Sequence, residues 1–128
     1  MCLLIDIAPQ RIKPCCRLAG LRAKEERLRE ELTAAVKAEA QRAWFYSVHT
    51  SYVREARDFL AENSTAFWRY HNRAEMLSSM LAKYDGLYSH QKEAVRNIIA
   101  LFHRYARALR DLGQAEAEAW NQVKRGGL

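Results

Sequence analysis

The chain has 128 residues, 49% of them hydrophobic and 28% charged, a balance that excludes a disordered polypeptide and suits one globular domain with a core of its own. Lysine and arginine number 21 against 15 acidic residues, and the resulting charge of +6 weakly favours acidic partners. No apolar run reaches membrane-spanning length, and three cysteines crowded at Cys2, Cys15 and Cys16 do not form a disulfide framework, so a soluble protein in a reducing, cytoplasmic setting is expected.

Pro9 and Pro14 bracket a short leader, residues 1–16, which is expected to be non-helical. Between Gly20 and Gly86 the chain holds neither glycine nor proline, and it is rich in Ala, Glu, Arg, Leu and Lys. Such a stretch favours helix strongly. The first helix is expected over about 17–62. Leu18, Leu21, Leu28, Leu32, Ala35 and Ala43 share one side of it at 100° per residue. The pairs Arg22/Glu26, Glu25/Arg29 and Arg27/Glu31 are spaced i,i+4 and mark its solvated side.

Near residue 44 the apolar stripe moves around the helix, to Phe45, Val48, Tyr52, Ala56, Phe59 and Leu60. Either one long helix changes partners there or it breaks near 47–50. The continuous form is preferred on sequence grounds, because nothing between 44 and 62 forbids it. Such a rod would be about 70 Å long at 1.5 Å per residue, which implies an elongated molecule or a dimer.

Asn63-Ser64-Thr65 marks the clearest internal boundary, since all three are good N-cap residues. A second helix is expected over 65–84, burying Phe67, Tyr70, Ala74, Leu77, Leu81 and Tyr84, with Asp85-Gly86 ending it. A third is expected over 88–112 or longer, with Val95, Ile98, Leu101, Phe102, Tyr105 and Leu109 on a wide apolar face. After Gly113 the tail, 113–128, reads as partly helical and fraying. Short connections imply antiparallel neighbours, so the expected fold is all-α: an elongated antiparallel three-helix bundle in a single domain, 1–128.

Three surface features point to binding. On the middle helix Arg69, Arg73, Met76 and Met80 form a stripe of the composition used by adaptable protein interfaces, unless methionine there fills gaps between packed helices. Trp44 and Trp68 lie off the main apolar faces and are the preferred partner anchors, because Trp and Arg dominate interface energetics. On the third helix Lys92, Arg96, His103, Arg107 and Arg110 fall on the side opposite the apolar face, and no acidic residue lies between Arg96 and Arg110. A row of cations on a rigid rod can follow phosphates. The row lacks adjacent aromatics, Asn or Gln placed to stack on or read bases, so a solvated face is the competing reading.

Catalytic, metal and cofactor signatures are missing from the sequence. His49, His71, His90 and His103 have no carboxylate at the Glu-x-x-His spacing. His-Glu-x-x-His, Cys-x-x-Cys, Gly-rich phosphate loops and the Gly-x-Ser-x-Gly elbow are all missing too. His71 and His49 sit on apolar faces, where a hydrogen-bonded core histidine is the ordinary outcome. No catalytic residue, metal ligand, cofactor or small-molecule substrate is therefore expected, and a convergent polar pocket with two histidines would be the first sign to the contrary. The functional expectation is a non-catalytic helical module that binds a protein partner, with homo-oligomerisation included. The alternative is binding of nucleic acid or an anionic membrane through the basic row.

Overall fold

The computed structural model describes residues 14–42, 47–83 and 86–126, which form four helices: α1 (Pro14–Arg42), α2 (Ser47–Ala61), α3 (Phe67–Lys83) and α4 (Ser89–Gly126). The described residues contain no strand. The all-helical expectation holds, and the count of three helices is corrected to four. Trp44 and residues 1–13 of the leader lie outside the described residues.

The expected 17–62 rod is two helices that lie side by side. Leu60 and Asn63, at the end of α2, line the same hollow as Glu25 and Arg29 of α1. In a straight rod Leu60 would sit roughly 45 Å from Arg29 at 1.5 Å per residue. The chain has therefore reversed direction, and the shift of the apolar stripe near residue 44 marks a change of helix. Residues 47–50, where the alternative reading put a break, are the first turn of α2. The reversal buries both stripes on one another: Leu28, Leu32 and Val36 of α1 share a core with Tyr52, Ala56 and Phe59 of α2.

Cross-helix contacts fix the remaining directions. Phe59 meets Tyr70, Glu55 meets Arg73, and the Tyr52 hydroxyl donates to the Met80 carbonyl at 3.0 Å, so α2 and α3 are antiparallel. Tyr70 packs on Tyr105 and His71 on His103, which makes α3 and α4 antiparallel. Arg17 pairs with Glu118 and Arg104 with Glu31, running α4 back along α1. The result is an up-down-up-down bundle in which α4 packs mainly on α1 and α3.

The ends of the helices follow local chemistry. Pro14 opens α1, where its missing N–H costs nothing, so residues 14–16 are helical and the expected leader is shortened. Asn63 ends α2 with φ of 53°, a left-handed conformation that Asn tolerates, and its N–H donates to the Leu60 carbonyl. The helix expected over 65–84 is α3 and starts at Phe67, while the Ser64 hydroxyl accepts from the Ala66 N–H. At the start of α4 the Gln91 side-chain oxygen accepts from the Tyr88 N–H at 2.9 Å, one half of a capping box.

The tail after Gly113, expected to be partly helical, continues α4 as helix to Gly126. Ala115 is buried, and Arg17–Glu118 and Arg22–Glu116 hold this part of α4 to α1 at 3.0 and 3.4 Å. Arg22 thus pairs across the bundle instead of with Glu26, while Glu25–Arg29 forms as expected at 3.6 Å.

At the centre stand four aromatic rings. Phe59 and Tyr70 meet edge to face at 4.8 Å, as do Tyr70 and Tyr105, and Phe102 closes on Phe59 at 5.7 Å. Such pairs each add roughly 0.5–1.5 kcal/mol beyond area burial. Leu77, Ile98 and Phe102 are buried as the periodicity requires. Phe67 is not: at the first position of α3 it lies past the core and is 42% exposed.

Candidate functional site

A surface groove lies where the first two turns of α3 face the middle of α4. Phe67, Trp68 and His71 come from α3 and His103, Ala106, Arg107 and Arg110 from α4, and together they line an open groove of ≈ 490 Å³. Each set sits at helical spacing, so each forms a short stripe on its own helix. Ala106 is small and buried, which leaves room between the stripes. One wall is apolar, with Trp68 55% exposed, and the other is cationic.

The charge there is available. Among the described residues Arg107 forms no ion pair, and Arg110 reaches only its chain neighbour Asp111, at 3.5 Å. By contrast Arg104, on the other side of α4, is engaged with Glu31 at 3.5 Å.

Beside the groove, His71 and Glu75 lie one turn apart on α3 and face His103 of α4. The Glu75 carboxylate is 3.5 Å from His103 Nε2 and 3.9 Å from His71 Nε2, and the imidazole rings are 5.2 Å apart. His71 is exposed, not set in the core as its apolar neighbours implied. Two histidines and a carboxylate thus come together on the surface at the edge of the groove, a feature no local motif announces.

The expected site residues divide among three places. Trp68, from the partner-binding set, meets His103, Arg107 and Arg110, from the anion-binding set, in the α3–α4 groove. Lys92 and Arg96 belong to the same helix but lie roughly 22 and 16 Å from Arg107 along it, and Lys92 is half-buried. Arg69, Arg73, Met76 and Met80 turn towards α2 and are each partly buried.

On that side Arg73 bonds Glu55 at 2.8 Å, Arg69 bonds Glu62, and their guanidinium groups sit 5.0 and 5.6 Å from the Phe59 ring centroid. Arg73 also contacts the Met76 sulfur at 3.4 Å, and Met80 packs against the core. The stripe therefore lines the α2–α3 seam. A shallow hollow of ≈ 180 Å³ remains there, and Trp68 borders it as well as the main groove.

A third hollow, of ≈ 410 Å³, opens where the α2–α3 turn meets α1 and α4. Several of its polar groups are paired with one another. Tyr105 donates to Glu25 at 2.6 Å, Arg29 pairs with the same carboxylate, and the Tyr70 hydroxyl donates to the Ser64 carbonyl at 2.6 Å. Burial raises the pKa of both tyrosines above the ordinary range, with Glu25 adding to the shift. This is a junction between helices at which Tyr105, Glu25, Arg29 and Tyr70 are hydrogen-bonded or ion-paired.

None of the described helices is long and apolar enough to cross a membrane. Comparison of the chain with protein-family models, characterised proteins and solved structures finds no match.

Proposed function

We propose that this chain is a helical binding module that takes an acidic segment of a partner protein in the α3–α4 groove. The observation that carries the reading is the meeting of Trp68 and Phe67 with Arg107 and Arg110 across one recess. An exposed aromatic wall offers apolar burial to an anchoring side chain, and the two guanidinium groups offer paired hydrogen bonds to carboxylates flanking it. Arg107 forms no ion pair among the described residues, so its guanidinium group is open to a ligand carboxylate.

A peptide is favoured over nucleic acid by the layout of charge. The exposed cations make a spot, not a track: Arg107 and Arg110 stand together, Arg96 is about three turns away, and Glu75 and Asp111 interrupt the surface. A homodimer is the special case in which the acidic segment comes from a second copy.

Selection of displayed random peptides on the immobilised full chain tests the proposal. Enriched sequences should combine an apolar side chain with flanking Asp or Glu. Their affinity should fall about tenfold or more in Trp68→Ala and in the Arg107→Glu/Arg110→Glu pair, with circular dichroism unchanged. Enrichment without acidic residues, indifference to both variants, or tighter binding to single-stranded nucleic acid or anionic vesicles would overturn it.

A further inference from the structure

We infer that His71, Glu75 and His103 form a binding site for a divalent transition metal, with zinc the natural occupant. One ligand atom from each lies within 4.8 Å of the other two. Around a tetrahedral zinc with bonds near 2.0–2.1 Å, ligand atoms stand roughly 3.4 Å apart. The observed Glu75–His103 and Glu75–His71 separations, 3.5 and 3.9 Å, need only small side-chain rotations to reach that.

The helices present the three groups together. His71 and Glu75 are i,i+4 on α3 and so share a face, while His103 comes from the antiparallel neighbour α4 and is only 34% exposed in its side chain. Two imidazoles and one carboxylate suit zinc and other divalent first-row metals, iron(II) among them, and not calcium or magnesium, which take oxygen ligands. The remaining charge pattern agrees. Among the described residues Glu75 pairs with no lysine or arginine, so its carboxylate faces only the two imidazoles.

Three protein ligands leave at least one coordination position for water or for a ligand group. His71 and His103 both line the α3–α4 groove, so a cation held there borders it, and a carboxylate entering the groove can complete its shell. The metal site rests on these three side chains alone and stands whatever occupies the groove.

The test is titration of the full chain with zinc chloride, followed by the imidazole nitrogen signals of the four histidines in NMR. His71 and His103 signals should move together and saturate at one zinc per chain, while His49 and His90 stay in place. Removing a direct ligand, in His71→Ala, His103→Ala or Glu75→Gln, should weaken zinc about tenfold or more, at least the loss seen for outer-shell changes. His71 is exposed, so His71→Ala keeps the test valid even if the half-buried His103 proves necessary for folding. A variant with Cys2, Cys15 and Cys16 changed to Ser should bind as the native chain does. The assignment falls if zinc moves other histidines or none, if the cysteine-free variant loses the response, or if His71→Ala retains the native affinity.

Discussion

The Tyr105 hydroxyl, on α4, donates a 2.6 Å hydrogen bond to the Glu25 carboxylate on α1. It is a charge-assisted contact at the junction where both helices meet the α2–α3 turn, and Arg29 approaches the same carboxylate at 3.6 Å. Burial, then the hydrogen bond and the charge of Glu25, raise the Tyr105 pKa well above its ordinary value. The folded chain therefore holds the phenolic proton more tightly than the unfolded chain does. The associated stability is fully present below the unfolded tyrosine value of about 10 and is lost as pH rises beyond it. Urea unfolding of the native chain should show a fall in midpoint above about pH 10, and Tyr105→Phe should flatten that fall. Near neutral pH the same variant should lose about 1.5–3 kcal/mol, the contribution of a hydrogen bond to a charged group. A profile identical in the two proteins would show that Tyr105 does not control the alkaline limb.

Gly20 and Gly113 both lie inside helices, and a Cβ added at either would meet nothing within 4 Å. Alanine at each position should stabilise by roughly 0.5–1 kcal/mol, because the unfolded chain loses freedom and helical propensity rises. The pair should add, since the sites share no partner. The urea midpoint at constant slope is the measure, and a midpoint that drops in Gly113→Ala would count against the helix running through that residue.

Asn63 carries the chain out of α2 with a positive φ of 53°. Asn63→Gly should leave stability within a few tenths of a kcal/mol, because glycine adopts this conformation freely. Asn63→Val should cost roughly 1–2 kcal/mol from the clash of a branched side chain in the left-handed region. Thermal unfolding of the three proteins separates these outcomes, and equal midpoints for Gly and Val would refute the backbone argument.

Phe102 is fully buried between Phe59 and Tyr70. Phe102→Ala should cost about 3–5 kcal/mol, a large share of the stability of a domain this size, whereas Trp68→Ala, at an exposed position, should cost under about 1 kcal/mol. Comparable losses at the two positions would mean that Trp68 is part of the core and would remove the anchor from the proposed groove.

The helical character of the chain and most of its core could be read from residue spacing. Leu28, Leu32, Tyr52, Phe59, Leu77, Ile98 and Phe102 were each marked by α-helical recurrence, and each is buried. That recurrence is local: burying one stripe of a helix constrains residues three and four apart, so the chain records it directly. The reversal between α1 and α2 was recorded only as the shift of a stripe, because a helix that changes partner and a helix that turns back leave the same trace in composition. The assignment of Phe67 and His71 to the core failed for a related reason, since periodicity gives the face of a residue and not whether the neighbouring helix extends far enough to cover it.

The candidate site depends on registration between helices, which core packing sets and sequence spacing does not express. Trp68 is 39 residues from Arg107, and Glu75 is 28 from His103. Aromatic and small residues in the α3–α4 seam fix how far one helix slides along the other, and that slide decides which surface side chains meet. The sequence by itself determined that this protein would be helices with greasy stripes and a basic exterior. Only the tertiary structure decided that two stripes on different helices would become one groove, because the contact is made by the packing of everything beneath it.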